Sequence, residues 1–250
     1  MSYFVTGATG FIGRHLVTNL LKRKGTVHVL VRKGSQKKLD ALVERMGWDA
    51  KRIVAVQGDL AKPRLGVSAE KAAEMKGKIR HFFHLAAIYD LAADGPSQIV
   101  ANVEGTRNAV ALAEAVNAGC FHHASSIAAA GLYSGTFRED MFDEAEDLDH
   151  PYFRTKHDAE KVVREECSRP YRIYRPGMVV GHSQTGEIDK IDGPYYFFSA
   201  LKKLREILPP WMPMIGIEGG RVNLVPVDYV ADAMDHIAHK AGLDGHCFQL

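Results

Sequence analysis

The sequence contains few cysteines, and none of them lies close to another. Cys120, Cys167 and Cys247 form no C-x-x-C pair, so we expect neither a disulfide framework nor a cysteine-ligated zinc site. Three scattered thiols are typical of a protein in a reducing compartment, and they predict a cytoplasmic location.

Long apolar runs and a strong charge of one sign are also absent. No apolar stretch approaches the roughly 20 residues that a membrane-spanning helix needs. The first strand-like run starts within three residues of Met1, which leaves no room for a signal peptide. The 250 residues carry a formal net charge of +2, and this balance predicts no nucleic-acid partner. Peripheral contact with a membrane is compatible with the composition.

Carboxylates are concentrated in one segment, Arg138–His150, which contains seven of them. A metal site is one interpretation of such a run. A solvated loop ahead of a helix is the favoured one, because the run lacks the glycine turn of a calcium-binding loop. No metal site is therefore predicted.

Near its start the sequence contains a glycine-rich turn between a strand-like and a helix-like segment. Gly7, Gly10 and Gly13 have G-x-x-G-x-x-G spacing. In a dinucleotide-binding turn the first glycine permits a tight turn, the second admits a pyrophosphate and the third lets the helix pack closely on the strand. The alternative is a turn that binds nothing, which the flanking patterns disfavour. The residues expected to contact the cofactor here are Thr6, Gly7, Thr9, Gly10, Phe11, Ile12 and Gly13.

Strand and helix patterns alternate along the chain. The strand-like runs are Tyr3–Val5, Val27–Val31, Ile53–Val56, His81–Leu85, Cys120–Ala124 and Arg172–Tyr174. The helical patterns are Arg14–Lys22, Lys37–Arg45, Ala69–Met75, Ile99–Ala115 and Thr155–Glu166. Such alternation predicts a single α/β domain with a parallel sheet, whose ligands bind beyond the carboxyl ends of the strands.

Basic and acidic residues follow the second and third strand-like runs. Arg32 and Lys33 stand where a fold that binds NAD(H) has an acidic residue for the ribose 2′-hydroxyl. Two cations there favour the 2′-phosphate of NADP(H), although a solvated basic loop has the same pattern. Asp59, followed by Leu60, is placed either to accept a hydrogen bond from the adenine amino group or to cap the next turn.

A tyrosine and a lysine, Tyr152 and Lys156, lie four residues apart and share one helix face. An ammonium group beside a phenol lowers its pKa from near 10 toward the working range of a proton donor. This spacing alone is common in exposed helices. It gains weight from Ser125 and Ser126, which follow the fifth strand-like run and face the same cleft. For His84, after the fourth run, the favoured interpretation is a packed, hydrogen-bonded histidine.

Taken together, these segments resemble an extended short-chain dehydrogenase/reductase over essentially the whole chain. The matching stretches are Thr6–Gly13, Asp59–Leu60, His84–Ala87, Asn102–Thr106, Ser125–Ser126, Tyr152–Lys156, Arg175–Gly177 and Val225–Tyr229. The resemblance implies a doubly wound parallel-sheet Rossmann fold. It implies that Tyr152 is the general acid/base, that Ser126 rather than Ser125 polarises the carbonyl, and that Lys156 holds the nicotinamide ribose. The remaining cofactor residues that it implies are Ala86, Asn102, Pro176 and Gly177.

In finer detail the chain is similar to the N-terminal reductase domain of two-domain bacterial fatty acyl-CoA reductases. The matching stretches are Phe121–Gly131, Phe137–Phe142, His150–Lys156, Tyr174–Met178 and Asp192–Phe198. This similarity implies NADPH-dependent reduction of long-chain acyl-CoA or fatty aldehyde, to aldehyde or primary alcohol. It also implies an N-terminal fragment of a longer chain with a second reductase domain. The aromatic segment at about 182–222 is expected to face the substrate.

Two other functions stay open at this point. An NAD-dependent nucleotide-sugar epimerase or dehydratase would keep its cofactor bound and consume none. A non-catalytic NADP sensor would need the glycines but not the serine, tyrosine and lysine, whose presence disfavours it.

Overall fold

A parallel sheet forms the centre of the computed structural model, which describes residues 2–87, 99–188, 194–209 and 222–250. Within these ranges the strands are β1 (Ser2–Thr6), β2 (Thr26–Val31), β3 (Ile53–Gln57), β4 (Ile79–His84), β5 (Cys120–Ala124), β6 (Tyr171–Arg175), β7 (Met178–Val180), β8 (Leu224–Pro226) and β9 (Cys247–Gln249). The helices are α1 (Phe11–Lys22), α2 (Gln36–Met46), α3 (Ala69–Met75), α4 (Gly105–Ala115), α5 (Pro151–Glu166), α6 (Pro194–Ile207) and α7 (Val227–His239).

Seven strands pair in the order β3-β2-β1-β4-β5-β6-β9, and every neighbouring pair is parallel. From β1 the chain winds outward to β3, returns to β4 beside β1, and then winds to the other edge. This reversal creates a crevice beyond the carboxyl ends of β1 and β4, where ligands of doubly wound sheets bind. The predicted Rossmann fold is confirmed. A separate pair, β7 and β8, is also parallel.

Helices cover both faces of the sheet, so the strands are buried on both sides. In β1, Tyr3 and Val5 pack on one face with apolar residues of α1, α2 and α7. Phe4, between them, packs on the opposite face with Phe82 and Phe121. Side chains of a strand alternate between faces, which is why a sheet covered twice has continuous apolar strands.

Most predicted elements match the observed ones within a few residues, and the start of α5 is one of those that differ. It begins at Pro151 rather than at the predicted Thr155. Proline fits the first helical position because the N–H it lacks would have no partner there. His150 caps the helix, since its Nδ1 accepts a hydrogen bond from the Tyr152 amide at 3.1 Å. Tyr152 is therefore placed in the first turn.

Several predictions concern surroundings of the site. The acidic segment is a loop ahead of α5, held where the Leu132 amide donates to the Glu146 carbonyl at 2.8 Å. Among the described residues no cluster of side chains is arranged to hold a metal ion.

None of the described helices is long and apolar enough to cross a bilayer. All three cysteines are free thiols. Of the expected substrate-side segment, residues 189–193 and 210–221 lie outside the described part.

Candidate active site

The glycine turn joins β1 to α1, and two of its glycines are required by close backbone packing. Gly7 has φ +71°, and a Cβ there would lie 2.7 Å from the Ala86 nitrogen. A Cβ on Gly13 would lie 2.1 Å from the Gly7 carbonyl oxygen. Gly10 is exposed, and within the described part of the chain the only atom that its Cβ would approach within 4 Å is that same oxygen. The turn therefore keeps an open side at Gly10.

That open side meets the N-terminus of α1. Gly10 is the N-cap of this helix and offers it no side-chain hydrogen bond. The first N–H groups of Phe11, Ile12 and Gly13 consequently point at the open side with the positive end of the helix dipole, an arrangement that binds phosphate. Half-buried Thr9 completes the turn. This cradle fits the pyrophosphate of a dinucleotide.

Arg32 and Lys33 are exposed directly after β2, the strand beside β1. Within the part of the chain that the structure describes, neither side chain forms an ion pair. Two uncompensated cations thus stand at the edge of the crevice. Asp59 follows β3, and its Oδ1 accepts a hydrogen bond from the Ala61 amide at 3.0 Å. This contact matches the capping interpretation of Asp59, while the Leu60 carbonyl accepts from Asn108 Nδ2 at 2.8 Å.

The tyrosine and lysine predicted to act in catalysis are both buried in α5, each 6% exposed. Lys156 Nζ donates to the Ala124 carbonyl at the end of β5, at 3.3 Å. Burial lowers the pKa of Lys156 to about 8, and the carboxylate of Glu160 opposes that shift. The first two turns of α5 are thereby fixed against the carboxyl end of β5.

The two candidate serines differ in their surroundings. Ser125 is buried and donates its hydroxyl hydrogen to Glu160 Oε2 at 2.8 Å. Ser126 is half-buried, and its Oγ accepts from the Ala128 amide at 3.2 Å as the cap of a short 3-10 helix, Ile127–Ala130. An oxygen that accepts from an amide keeps its own hydrogen to donate. Of the two serines, only Ser126 is partly exposed and keeps a hydroxyl hydrogen to donate.

Three other predicted cofactor residues lie in the loop after β6 and in the helical turn before α4. The Pro176 carbonyl accepts from the Ile127 amide at 3.1 Å, so the loop after β6 lies beside the Ser126 turn. Gly177 allows this course, because its Cβ would lie 2.7 Å from the Asn223 carbonyl oxygen. Asn102 belongs to the helical turn Ile99–Glu104 that leads into α4.

A buried ionic cluster behind the site was not predicted from the sequence. Glu160 is fully buried and accepts from Arg175 at 2.5 and 3.0 Å, and from Arg164 at 2.8 and 3.0 Å. Burial by itself raises the pKa of Glu160, but the hydrogen bond and charge of Arg175 lower it overall. The sequence signal was limited to the (i, i+4) spacing of Lys156, Glu160 and Arg164, which is typical of exposed helices too.

Replacing Glu160 by alanine is expected to lower the free energy of unfolding by about 3–5 kcal/mol, because it leaves the buried guanidinium of Arg175 without its counterion. The matched control is Glu166→Ala in the same helix. Its carboxylate pairs with Arg107 in solvent, and such exposed pairs contribute about 0–1 kcal/mol. Urea unfolding measures the free energy of unfolding of both variants. Equal decreases would show that the buried Glu160 cluster stabilises the fold no more than an exposed ion pair does.

Comparison with known proteins places this geometry in a family. The sequence profile of the male sterility protein family of NAD-binding domains matches residues 5–234. The chain is 32% identical over 268 residues to the non-canonical nonribosomal peptide synthetase hkm10 of Aspergillus hancockii, covering 99% of this chain and 26% of that protein. It is 31% identical to the aldehyde reductase lnbA of Aspergillus flavus, with the same coverage.

Solved structures agree with the sequence relatives. The terminal R domain from the myxalamid PKS-NRPS biosynthetic pathway superimposes with a TM-score of 0.85 at 28% identity, covering 100% of this chain and 65% of that chain. A UDP-glucuronic acid 4-epimerase from Bacillus cereus, at 22% identity and a TM-score of 0.73, shares the fold. The chain spans about a quarter of the curated relatives it matches. With a family match over residues 5–234, it belongs to the male sterility family of NAD(P)-binding domains, of the extended short-chain dehydrogenase/reductase type.

Proposed function

We propose that the chain binds NADPH and reduces the carbonyl group of an acyl thioester, or of the aldehyde derived from it. The observation that carries this proposal is the common placement of a phosphate cradle and a proton-donating set. The cradle lies at the end of β1. Ser126 follows the end of β5, two strands away in the same sheet, and Lys156 Nζ donates to the Ala124 carbonyl at that same end. When bound, NADPH supplies the hydride.

The side chains of the site handle the oxygen of the substrate. Ser126 donates its free hydroxyl hydrogen to the carbonyl oxygen, and Tyr152 donates the proton that the developing oxyanion takes up. The Lys156 ammonium stabilises the phenolate left on Tyr152 and binds the nicotinamide ribose. A thioester treated in this way gives a hemithioacetal, which releases the thiol and leaves an aldehyde.

The names of the relatives support this reaction class. They include aldehyde reductases and nonribosomal peptide synthetases, and a terminal R domain is among the similar structures. The resemblance to fatty acyl-CoA reductases supports a long-chain acyl group, with a primary alcohol as the product of a second reduction. The relatives are much longer than this chain, which supports the proposal that further domains accompany it in the full-length protein.

The test follows NADPH absorbance with the full-length protein, offering fatty acyl-CoAs, acyl-pantetheine thioesters and fatty aldehydes of several lengths. We expect net oxidation of NADPH with at least one of them: one NADPH for each aldehyde formed from a thioester or each alcohol formed from an aldehyde, and two for each alcohol formed from a thioester. A nucleotide-sugar epimerase would show no net consumption and would retain NAD through purification. Absence of oxidation with every acyl substrate would overturn the proposal.

Selectivity for NADPH is expected to depend on the exposed cations after β2. The double variant Arg32→Ala/Lys33→Ala should raise the Kd for NADPH about 10- to 100-fold, since hydrogen bonds to charged groups contribute about 1.5–3 kcal/mol. The Kd for NADH should change little. Fluorescence titration measures both constants, and Lys37→Ala/Lys38→Ala on the exposed side of α2 is the matched control. An equal loss for the two cofactors would assign these cations no role in selectivity.

A further inference from the structure

A continuous run of hydrogen bonds starts at the glycine turn. The Ala86 amide donates to Thr6 Oγ1 at 3.2 Å, and Thr6 Oγ1 lies 2.8 Å from His84 Nδ1. Thr6 directly precedes Gly7, and a Cβ on Gly7 would collide with the Ala86 nitrogen. The position of the turn is therefore tied to the imidazole of His84.

The other ring nitrogen of His84 continues the run. Its Nε2 lies 3.2 Å from Thr106 Oγ1, and Thr106 Oγ1 donates to the Asn102 carbonyl at 2.6 Å. Because the hydroxyl hydrogen of Thr106 is used on Asn102, its oxygen accepts from Nε2–H. The network thus assigns the proton to Nε2, and Nδ1 accepts from the hydroxyl of Thr6.

From Asn102 the run of hydrogen bonds continues to α5, the helix that contains Tyr152. Asn102 Nδ2 donates to Thr155 Oγ1 at 3.3 Å, and Thr155 Oγ1 donates to the Tyr152 carbonyl at 3.2 Å. Every side chain in the run is at most 2% exposed. In so dry an environment an unmade hydrogen bond is costly, so displacing one member disturbs its neighbours.

We propose that His84 is a positioning residue that couples the cofactor turn to the Tyr152 helix through this run, an inference that rests on the proposed function. A neutral imidazole suits the place because it accepts at one nitrogen and donates at the other. Lys156 and the stacked ring of His123 face it. Burial, with the nearby charge of Lys156, lowers the pKa of His84 to about 3 and keeps it neutral.

The test is a double-mutant cycle of Thr6→Val and Thr106→Val, each removing a hydroxyl on one side of His84 while keeping the shape of the side chain. NADPH Kd is read by fluorescence titration and kcat by turnover. Coupling predicts that Thr106→Val, on the far side of His84, weakens NADPH binding about fivefold. It also predicts that the double variant binds no worse than Thr6→Val alone. If the effects of the two single substitutions on the Kd multiplied in the double variant, the two sides of His84 would act independently, and the proposal would be overturned.

Variants of His84 itself separate coupling from simple packing. His84→Asn retains an acceptor near the Thr6 side, and His84→Gln retains a donor near the Thr106 side. We expect the first mainly to lower kcat and the second mainly to raise Kd, whereas a packing role would impair both constants equally in both variants. His123→Gln, the buried neighbour on β5, is the control, and its constants should stay within about threefold. Wild type that binds no NADPH would overturn the proposed function as well as the coupling; binding with independent effects would overturn the coupling alone.

Discussion

Tyr152→Phe is expected to lower kcat for carbonyl reduction about 10²- to 10⁴-fold, the usual contribution of a positioned general acid. The phenyl ring keeps the packing of this buried side chain, so the free energy of unfolding and the Kd for NADPH should change little. Single-turnover oxidation of NADPH with an acyl thioester and with an aldehyde measures the effect separately for each substrate.

Tyr229→Phe is the matched control, because it makes the same chemical change on an exposed side chain of α7. Its kcat is expected to equal that of the wild type. If Tyr152→Phe retained full single-turnover rates with both substrates, Tyr152 would have no role as proton donor, and the proposed chemistry would need another acid.

Acid is expected to unfold the protein, because four buried histidines of β4 and β5 must stay neutral in the sheet. Burial is the main cause in each case. It lowers the pKa of His81 and of His84 to about 3, and it holds the pKa of His122 and of His123 well below the ordinary value. The unfolded chain binds a proton at each of these groups at higher pH than the folded chain does.

The direction of the pH dependence follows from that difference. Below pH 6.5 the unfolded state binds more protons, so the free energy of unfolding decreases as the pH falls. Each histidine contributes up to about 1.4 kcal/mol per pH unit, and the four together contribute up to about 5.6 kcal/mol per pH unit. For a domain of ordinary stability, this loss predicts unfolding at roughly pH 4.5–5.5.

His123 gives the sharpest test of this prediction, because neither of its ring nitrogens has a hydrogen-bond partner among the residues that the structure describes. His123→Leu should lower the midpoint of acid unfolding, followed by circular dichroism, by about 0.3–0.7 pH units. Exposed His246, replaced by glutamine, should leave the midpoint unchanged. A midpoint of His123→Leu at or above that of the wild type would contradict the assignment of acid sensitivity to the buried rings.

Local patterns predicted the fold well because its elements are specified locally. The bounds of α3, Ala69–Met75, match the helical pattern in the sequence. The glycine spacing likewise predicted the turn, because Gly7 has a positive φ of +71° and Gly13 closes on the Gly7 carbonyl six residues away. The start of α5 was displaced because its cap, His150, is not one of the usual N-cap residues.

The parts of the site that escaped prediction depend on strand order. Glu160 finds Arg175 only because β6 lies beside β5, and His84 reaches Thr6 only because β4 pairs with β1. Neither pairing follows from spacing along the chain. The type of a buried side chain indicates which partners it is able to bind. Which partner it meets depends on the order of the strands in the folded sheet.

The position of β9 also determines when β6 gains its second neighbour during synthesis. β6 pairs with β9 at Ile173 and Cys247, so the residues between them must leave the ribosome first. Until then β6 presents an unpaired edge, which is open to wrong pairing. A nascent chain paused before Cys247 is therefore expected to expose the edge of β6, and to bind chaperones more than a chain that has passed this point.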